Sequence, residues 1–116
     1  MTFIEELLAY AKGEPITEVV LGAYGWDDID DTIDTGWSDE LRPHIPRDRL
    51  GIALSLAEAQ PLLDYEWERG FGAPSCYAIY AYTPSRVIFV SQYDGSTTLH
   101  SVPRNPCNCI PTMPGG

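Results

Sequence analysis

One stretch in the second half of the chain constrains the fold most strongly. Two runs rich in β-branched and aromatic residues, 76–83 and 86–93, are separated only by Pro84-Ser85. The pair Asp94-Gly95, which is typical of a type I′ hairpin turn, then leads into a third run over 97–102. This spacing predicts three consecutive antiparallel strands.

The first two of these strands are apolar at successive positions, so both of their faces carry apolar side chains. These residues are Tyr77, Ile79 and Ala81 opposed to Ala78, Tyr80 and Tyr82, and Ile88 and Val90 opposed to Val87 and Phe89. A sheet that is apolar on both sides needs cover on both. We expect the N-terminal helix to cover one face, and the long loop, a second helix or a second subunit to cover the other.

The N-terminal residues predict that helix and a further strand. Thr2 and Glu5 form a capping box, and Gly13 is placed to end the helix. The apolar stripe of the helix consists of Phe3, Ile4, Leu7, Leu8 and Ala11. Residues 16–23 are rich in β-branched side chains and predict a strand.

A second capping box, Ser55 with Glu58, predicts a short helix that Pro61 prevents from continuing. Apolar and acidic residues then alternate over 63–68, which favours a strand, although a continued helix also places Leu63 above Trp67. The sequence thus predicts an α+β fold. Its antiparallel sheet has four or five strands, with a meander at 63–102 and the N-terminal helix packed on one face.

The length of 116 residues fits one domain, which we place at 1–102. Residues 103–116 form an extended tail, because four prolines and a terminal Gly-Gly exclude a helix or a central strand. We expect Ile110 and Met113 to strap this tail across the domain.

The net charge of −10 is concentrated in the first third of the chain. Residues 1–40 hold eleven acidic residues and one base, Lys12, whereas the six acids and six bases of 41–116 cancel. This charge disfavours direct binding to nucleic acid or to anionic membranes and favours a basic partner. No apolar run approaches the roughly 18 residues of a membrane span. The N-terminus lacks the basic region of a secretory signal. The cysteine count is odd, and Cys107 and Cys109 are too close to pair comfortably, which argues against a disulfide scaffold. We therefore expect a cytoplasmic protein.

Residues 27–40 hold seven carboxylates and no base, and two tryptophans bracket most of them. Aromatic rings beside carboxylates suit a surface that receives Arg or Lys through ion pairing and cation–π contact. The candidate partner-binding residues are Trp26, Asp27, Asp28, Asp30, Asp31, Asp34 and Trp37. The alternative is that both rings pin a solvated acidic loop to the core.

Metal sites are the sharpest chemical alternative. Cys76, His100, Cys107 and Cys109 would complete a tetrahedral zinc site if the tail folded back over the sheet. The C-x-C spacing is shorter than zinc sites normally use, so we predict no metal. A calcium site of the EF-hand type is also disfavoured. A loop starting at Asp28 places Ile33 where glycine is required, and a loop starting at Asp31 places Ile33 at a ligand position.

Catalysis has little support in the sequence. A Cys76–His100 dyad would need a thiolate-stabilising environment that the sequence does not supply. The chain contains no G-x-S-x-G, no P-loop and no dinucleotide fingerprint. We therefore predict no enzyme and no cofactor.

Several strings in residues 55–116 resemble small uncharacterised proteins of actinobacterial phages, such as mycobacteriophages. The strings are Pro61-Leu62-Leu63-Asp64-Tyr65-Glu66, Tyr93-Asp94-Gly95-Ser96-Thr97, Ser101-Val102-Pro103-Arg104-Asn105-Pro106 and Met113-Pro114-Gly115-Gly116. The resemblance implies a phage accessory protein that acts in the bacterial cytoplasm. It does not identify any residue of this chain as part of an active site.

The sequence is thus interpreted as a non-enzymatic phage protein that binds a bacterial host protein with a basic patch. Its acidic surface would mimic nucleic acid or inhibit a host factor. Two alternatives stay open: a self-assembling protein that forms a homodimer through the apolar sheet face, and a small zinc-binding or hydrolytic domain.

Overall fold

The computed structural model describes residues 2–25, 45–67, 75–93 and 96–113, with only the backbone of Tyr93. Five strands form one antiparallel sheet in the order β2-β1-β3-β4-β5. The elements are α1 (Phe3–Tyr10), β1 (Glu18–Tyr24), β2 (Ala53–Ser55), α2 (Leu56–Ala59), β3 (Tyr77–Tyr82), β4 (Arg86–Tyr93) and β5 (Ser96–Pro103). The predicted α+β class with an antiparallel sheet of four or five strands is confirmed.

The three consecutive strands predicted from turn chemistry are β3, β4 and β5. At the first turn, the N–H of Thr83 donates to the carbonyl of Arg86 (2.9 Å). The N–H of Arg86 donates to the Thr83 hydroxyl in return, also at 2.9 Å. At the second turn β4 ends at Tyr93 and β5 begins at Ser96, which leaves the two-residue connection that the Asp-Gly pair predicts.

Both predicted capping boxes are present. The Glu5 N–H donates to the Thr2 hydroxyl (3.3 Å) while the Thr2 N–H donates to the Glu5 carboxylate (3.0 Å). Ser55 and Glu58 make the same reciprocal pair, each bond being 3.1 Å long. The second helix is short, as Pro61 predicts, because the chain tightens into a 3-10 turn over Gln60–Leu62.

The strand predicted over 63–68 is wrong. Among the described residues 63–67, only Glu66 makes a β-bridge, and its partner is Thr2. The alternation itself is real, because Leu63, Tyr65 and Trp67 are buried while Asp64 and Glu66 are exposed. The backbone of this segment is bonded to α1 rather than to the sheet.

The bonds that replace sheet pairing run from the start of α1. The N–H of Phe3 donates to the carbonyl of Tyr65 (2.8 Å), and the N–H of Ile4 donates to the carbonyl of Leu63 (3.1 Å). These amides belong to the first turn of the helix, where no partner exists within the helix. The fifth strand is instead β2, whose three residues are too few to give a periodic signal.

The tail runs beside the sheet, since Cys109 to Thr112 line a cavity with Phe89, His100 and Val102, but the predicted anchors Ile110 and Met113 are wrong. Ile110 is 91% exposed and Met113 is 95% exposed, so neither anchors the tail in the core. The tail is held at its base instead, where Arg104 donates from its backbone N–H to the carbonyl of Ser85 (2.9 Å). The Arg104 guanidinium also donates to the carbonyl of Thr83 (3.2 Å).

One cluster of buried residues forms the core. The sheet contributes Val19, Leu21, Leu54, Tyr77, Ile79, Ala81, Ile88 and Leu99, and α1 contributes Phe3, Ile4 and Leu7. The Phe3 ring packs on Tyr65 (centroids 5.6 Å apart) and on the edge of Trp67 (4.8 Å). We call the side of the sheet with these buried residues the core face and the opposite side the outer face.

Candidate functional site

The partner-binding residues predicted from sequence, Trp26 to Trp37, lie outside the described residues. The chain leaves the described region at Gly25, whose N–H donates to the carbonyl of Cys76 (2.9 Å). It returns at Ile45, which is buried in the core cluster. The acidic segment therefore connects the end of β1 to a buried anchor.

The four candidate metal ligands do not form one cluster. Cys76 is buried, whereas Cys107 and Cys109 are exposed. His100 lies on β5, and β4 separates that strand from β3, which follows Cys76. Within the described part of the chain, no group of three or more His, Cys, Asp or Glu residues is placed to hold a metal ion.

The same placement removes the physical basis for a Cys76–His100 dyad. Burial raises the pKa of the Cys76 thiol to about 12. A thiol in this environment stays protonated at neutral pH and is a poor nucleophile. Cys76 is therefore interpreted as a core residue.

The outer face carries a continuous row of side chains across four strands. Val20, Tyr80, Phe89 and His100 are successive cross-strand neighbours in β1, β3, β4 and β5. A second row beside it consists of Glu18, Tyr82, Val87 and Val102. Tyr80 is 57% exposed and Val102 is 45% exposed, although the core face of the same strands is buried.

A groove of about 400 Å³ opens on this face. Gly22 and Ala78 form the bottom of this groove. Their backbones approach so closely that a Cβ at Gly22 would be 3.3 Å from the Ala78 Cβ. The other lining residues are Val20, Leu21, Gly51, Ile79, Tyr80, Phe89 and Val90. Among the described residues of this lining, none carries a carboxylate, thiol, imidazole or cationic group. Such a groove is suited to receive an apolar side chain.

Two contacts restrain aromatic rings of the outer face next to the groove. The rings of Phe89 and His100 are stacked with centroids 6.2 Å apart. The Arg104 guanidinium lies over the Tyr82 ring, 5.4 Å from its centroid. These contacts hold the rings in place, which lowers the entropic cost of presenting them to a partner.

The sequence pattern identified the outer face but not the groove. The apolar residues on both faces of 76–83 and 86–93 already indicated a second apolar surface. The groove depends on the register that places Gly22 against Ala78, and no local pattern reports a register between distant strands.

Comparison of the chain with protein-family models, curated proteins and solved structures finds no match. In the described residues, no helix has the length and apolar character needed to cross a membrane.

Proposed function

We propose that this chain is a non-enzymatic binding protein that docks on a basic protein through the outer face of its sheet. The observation that supports this proposal is the accessible apolar row with its groove. Large apolar patches left open on a folded domain commonly mark interaction sites. Apart from the Tyr80 hydroxyl, the described residues of the groove lining carry no titratable side chain, so its surface chemistry suits binding rather than catalysis.

We further infer that α1 covers the core face and leaves the outer face to the partner. The burial of Phe3, Ile4 and Leu7 in the same cluster as the sheet residues supports this arrangement. Tyr80 then serves as the central anchor, since it is the most exposed large side chain of the row. Tyrosine in this position combines a large apolar area with few rotatable bonds, which is typical of residues that dominate binding energy.

The charge of the chain favours a basic partner over a second copy. Two copies of net charge −10 repel each other, and a partner rich in Lys and Arg is attracted. We propose that the acidic segment with Trp26 and Trp37 steers this encounter. In the setting that the phage resemblance implies, the partner is a protein of the bacterial host.

Site-specific photo-crosslinking tests the proposal. A benzoylphenylalanine replaces Tyr80 on the outer face, and a matched control replaces Leu8 on α1, which is 39% exposed. We expect the position-80 probe to form an adduct with one basic bacterial protein, in competition with unlabelled wild-type chain. Equal adducts from positions 80 and 8 would argue against the outer face.

Sedimentation velocity distinguishes binding of a different protein from self-association of this chain. We expect a monomer at low salt and at high salt, because the outer face is reserved for a different protein. A dimer that persists at high salt and is lost in Tyr80→Ser would overturn the proposal in favour of self-assembly.

A further inference from the structure

Cys107 and Cys109 are close together and accessible. Both thiols are free and exposed. The chain bends at Asn108, the single residue between them. The Cys107 thiol interacts with its neighbour Cys109 through a side-chain hydrogen bond.

The backbone next to Cys107 and Cys109 is anchored to the turn between β3 and β4. Arg104 fixes the base of the tail through its bonds to Ser85 and Thr83. Pro106 precedes the pair and restricts the backbone. Because this part of the tail is already restricted, the backbone loses little conformational entropy when the two sulfur atoms react with each other.

The positive charge of Arg86 lies near the pair, because Arg86 and Cys109 line the same cavity. The Arg86 guanidinium donates to the hydroxyl of Ser101 (2.7 Å) and to its carbonyl (3.1 Å), which holds it in place. The hydrogen bond with Cys109 raises the pKa of Cys107, and the Arg86 charge opposes that rise. The pKa of Cys107 stays raised on balance, so exchange proceeds through a minor thiolate fraction and should become faster as pH rises.

We propose that Cys107 and Cys109 form a redox-active dithiol that exchanges with small-molecule disulfides such as glutathione disulfide. One cysteine thiolate attacks a sulfur of glutathione disulfide and breaks its S–S bond. The first glutathione leaves as a thiolate and takes up a proton, while the protein keeps a mixed disulfide.

The second cysteine then loses its proton, and its thiolate attacks the protein sulfur of the mixed disulfide. The second glutathione leaves as a thiolate and is protonated. The two protein thiols have lost two electrons and two protons, and these have converted one glutathione disulfide into two glutathione molecules. The resulting Cys107–Cys109 disulfide closes a small ring in an exposed tail, so it is readily reduced again.

The folded full-length chain is tested in buffers of oxidised and reduced glutathione, with acid quenching, alkylation and intact-mass analysis. We expect a wild-type species that has lost two hydrogen atoms and keeps one thiol, that of Cys76. Cleavage after Arg104 locates the new disulfide in the peptide that begins at Asn105, apart from Cys76. Before oxidation, Cys107 and Cys109 should be alkylated about 100-fold faster than buried Cys76 in the native state.

The single variants Cys107→Ser and Cys109→Ser should instead retain a glutathione adduct, because neither has a second thiol to displace it. Both side chains are exposed, so these substitutions leave the fold intact. A stable glutathione adduct on the wild-type chain, or disulfides found only between chains, would overturn the proposal. A disulfide that includes Cys76 would overturn it as well.

Discussion

The backbone N–H of Tyr77 donates a hydrogen bond of 3.0 Å to the hydroxyl of Tyr65. The bond is buried and joins the extended segment after α2 to the first residue of β3. The two rings also meet edge to face, with centroids 6.3 Å apart. Burial raises the pKa of Tyr65, so its hydroxyl stays neutral across the physiological range. Together with the bonds from Phe3 and Ile4, this bond holds residues 63–67 in place without sheet pairing.

Replacing Tyr65 with Phe should lower the free energy of unfolding by about 1–2 kcal/mol, because the buried Tyr77 amide loses this acceptor. Urea denaturation measures the change. Tyr80→Phe is the matched control, since the Tyr80 side chain is 57% exposed, and it should leave stability unchanged. Equal effects of the two substitutions would show that the hydrogen bond is not structural.

Acid should destabilise the fold through three hydrogen-bonded carboxylates. The pKa of Glu5 and the pKa of Glu58 are lowered from the ordinary 4.5 by the N–H groups of Thr2 and Ser55, and that of Glu14 by the Ser85 hydroxyl. A lowered folded-state pKa gives stability that is present above the unfolded pKa and is lost as pH falls through the folded pKa.

The wild-type free energy of unfolding should therefore fall as pH drops below about 4.5. Glutamine can replace glutamate in a capping box, and an amide oxygen at position 14 can still accept from the Ser85 hydroxyl. A variant with all three residues changed to Gln therefore keeps these bonds without the charge. Its stability should depend less on pH in this range. Identical pH profiles for the two proteins would show that these carboxylates do not drive acid sensitivity.

Gly95→Val should destabilise the fold by about 1 kcal/mol or more, because a β-branched residue resists the positive φ that a type I′ turn requires. Thermal unfolding measures the effect. Asp94→Asn is the control, since Asn-Gly suits the same turn, and it should be close to neutral. If Gly95→Val were also neutral, the connection between β4 and β5 would have a different geometry.

Changing Asp27, Asp28, Asp30 and Asp31 to Asn should weaken binding to the basic partner and flatten its dependence on salt. The four charges add to the field that steers the encounter, so their loss acts mainly on the association rate. Stopped-flow association at several salt concentrations measures this. Unchanged rates in a variant of normal stability would remove the acidic segment from the binding account.

The parts of the fold that local chemistry determines were predictable from the sequence. The capping boxes at Thr2 and Ser55, the turn after β3 and the two-residue length of the connection after β4 each depend on residues close together in the chain. The segment 63–67 was misassigned because its alternation is the same whether its backbone pairs with a sheet or with the first turn of α1. The tail anchors were misassigned because Ile110 and Met113 are apolar yet have no contact that buries them.

The outer face was likewise predictable in part from the sequence. Its apolar character could be read from alternate residues of β3 and β4, but the groove arises from the pairing of β1 with β3. The interaction between Cys107 and Cys109 was not predictable, since spacing alone does not determine whether two side chains meet.

The central claim is that the outer face binds a different, basic protein, and the dissociation constant of the crosslinked partner tests it most directly. The constant is measured by titration calorimetry for the wild-type chain, for Tyr80→Ser and for the control Leu8→Ser. We predict that Tyr80→Ser weakens binding about tenfold or more, because it removes the central aromatic anchor, while Leu8→Ser does not change it. An unchanged constant for a stably folded Tyr80→Ser would contradict the account.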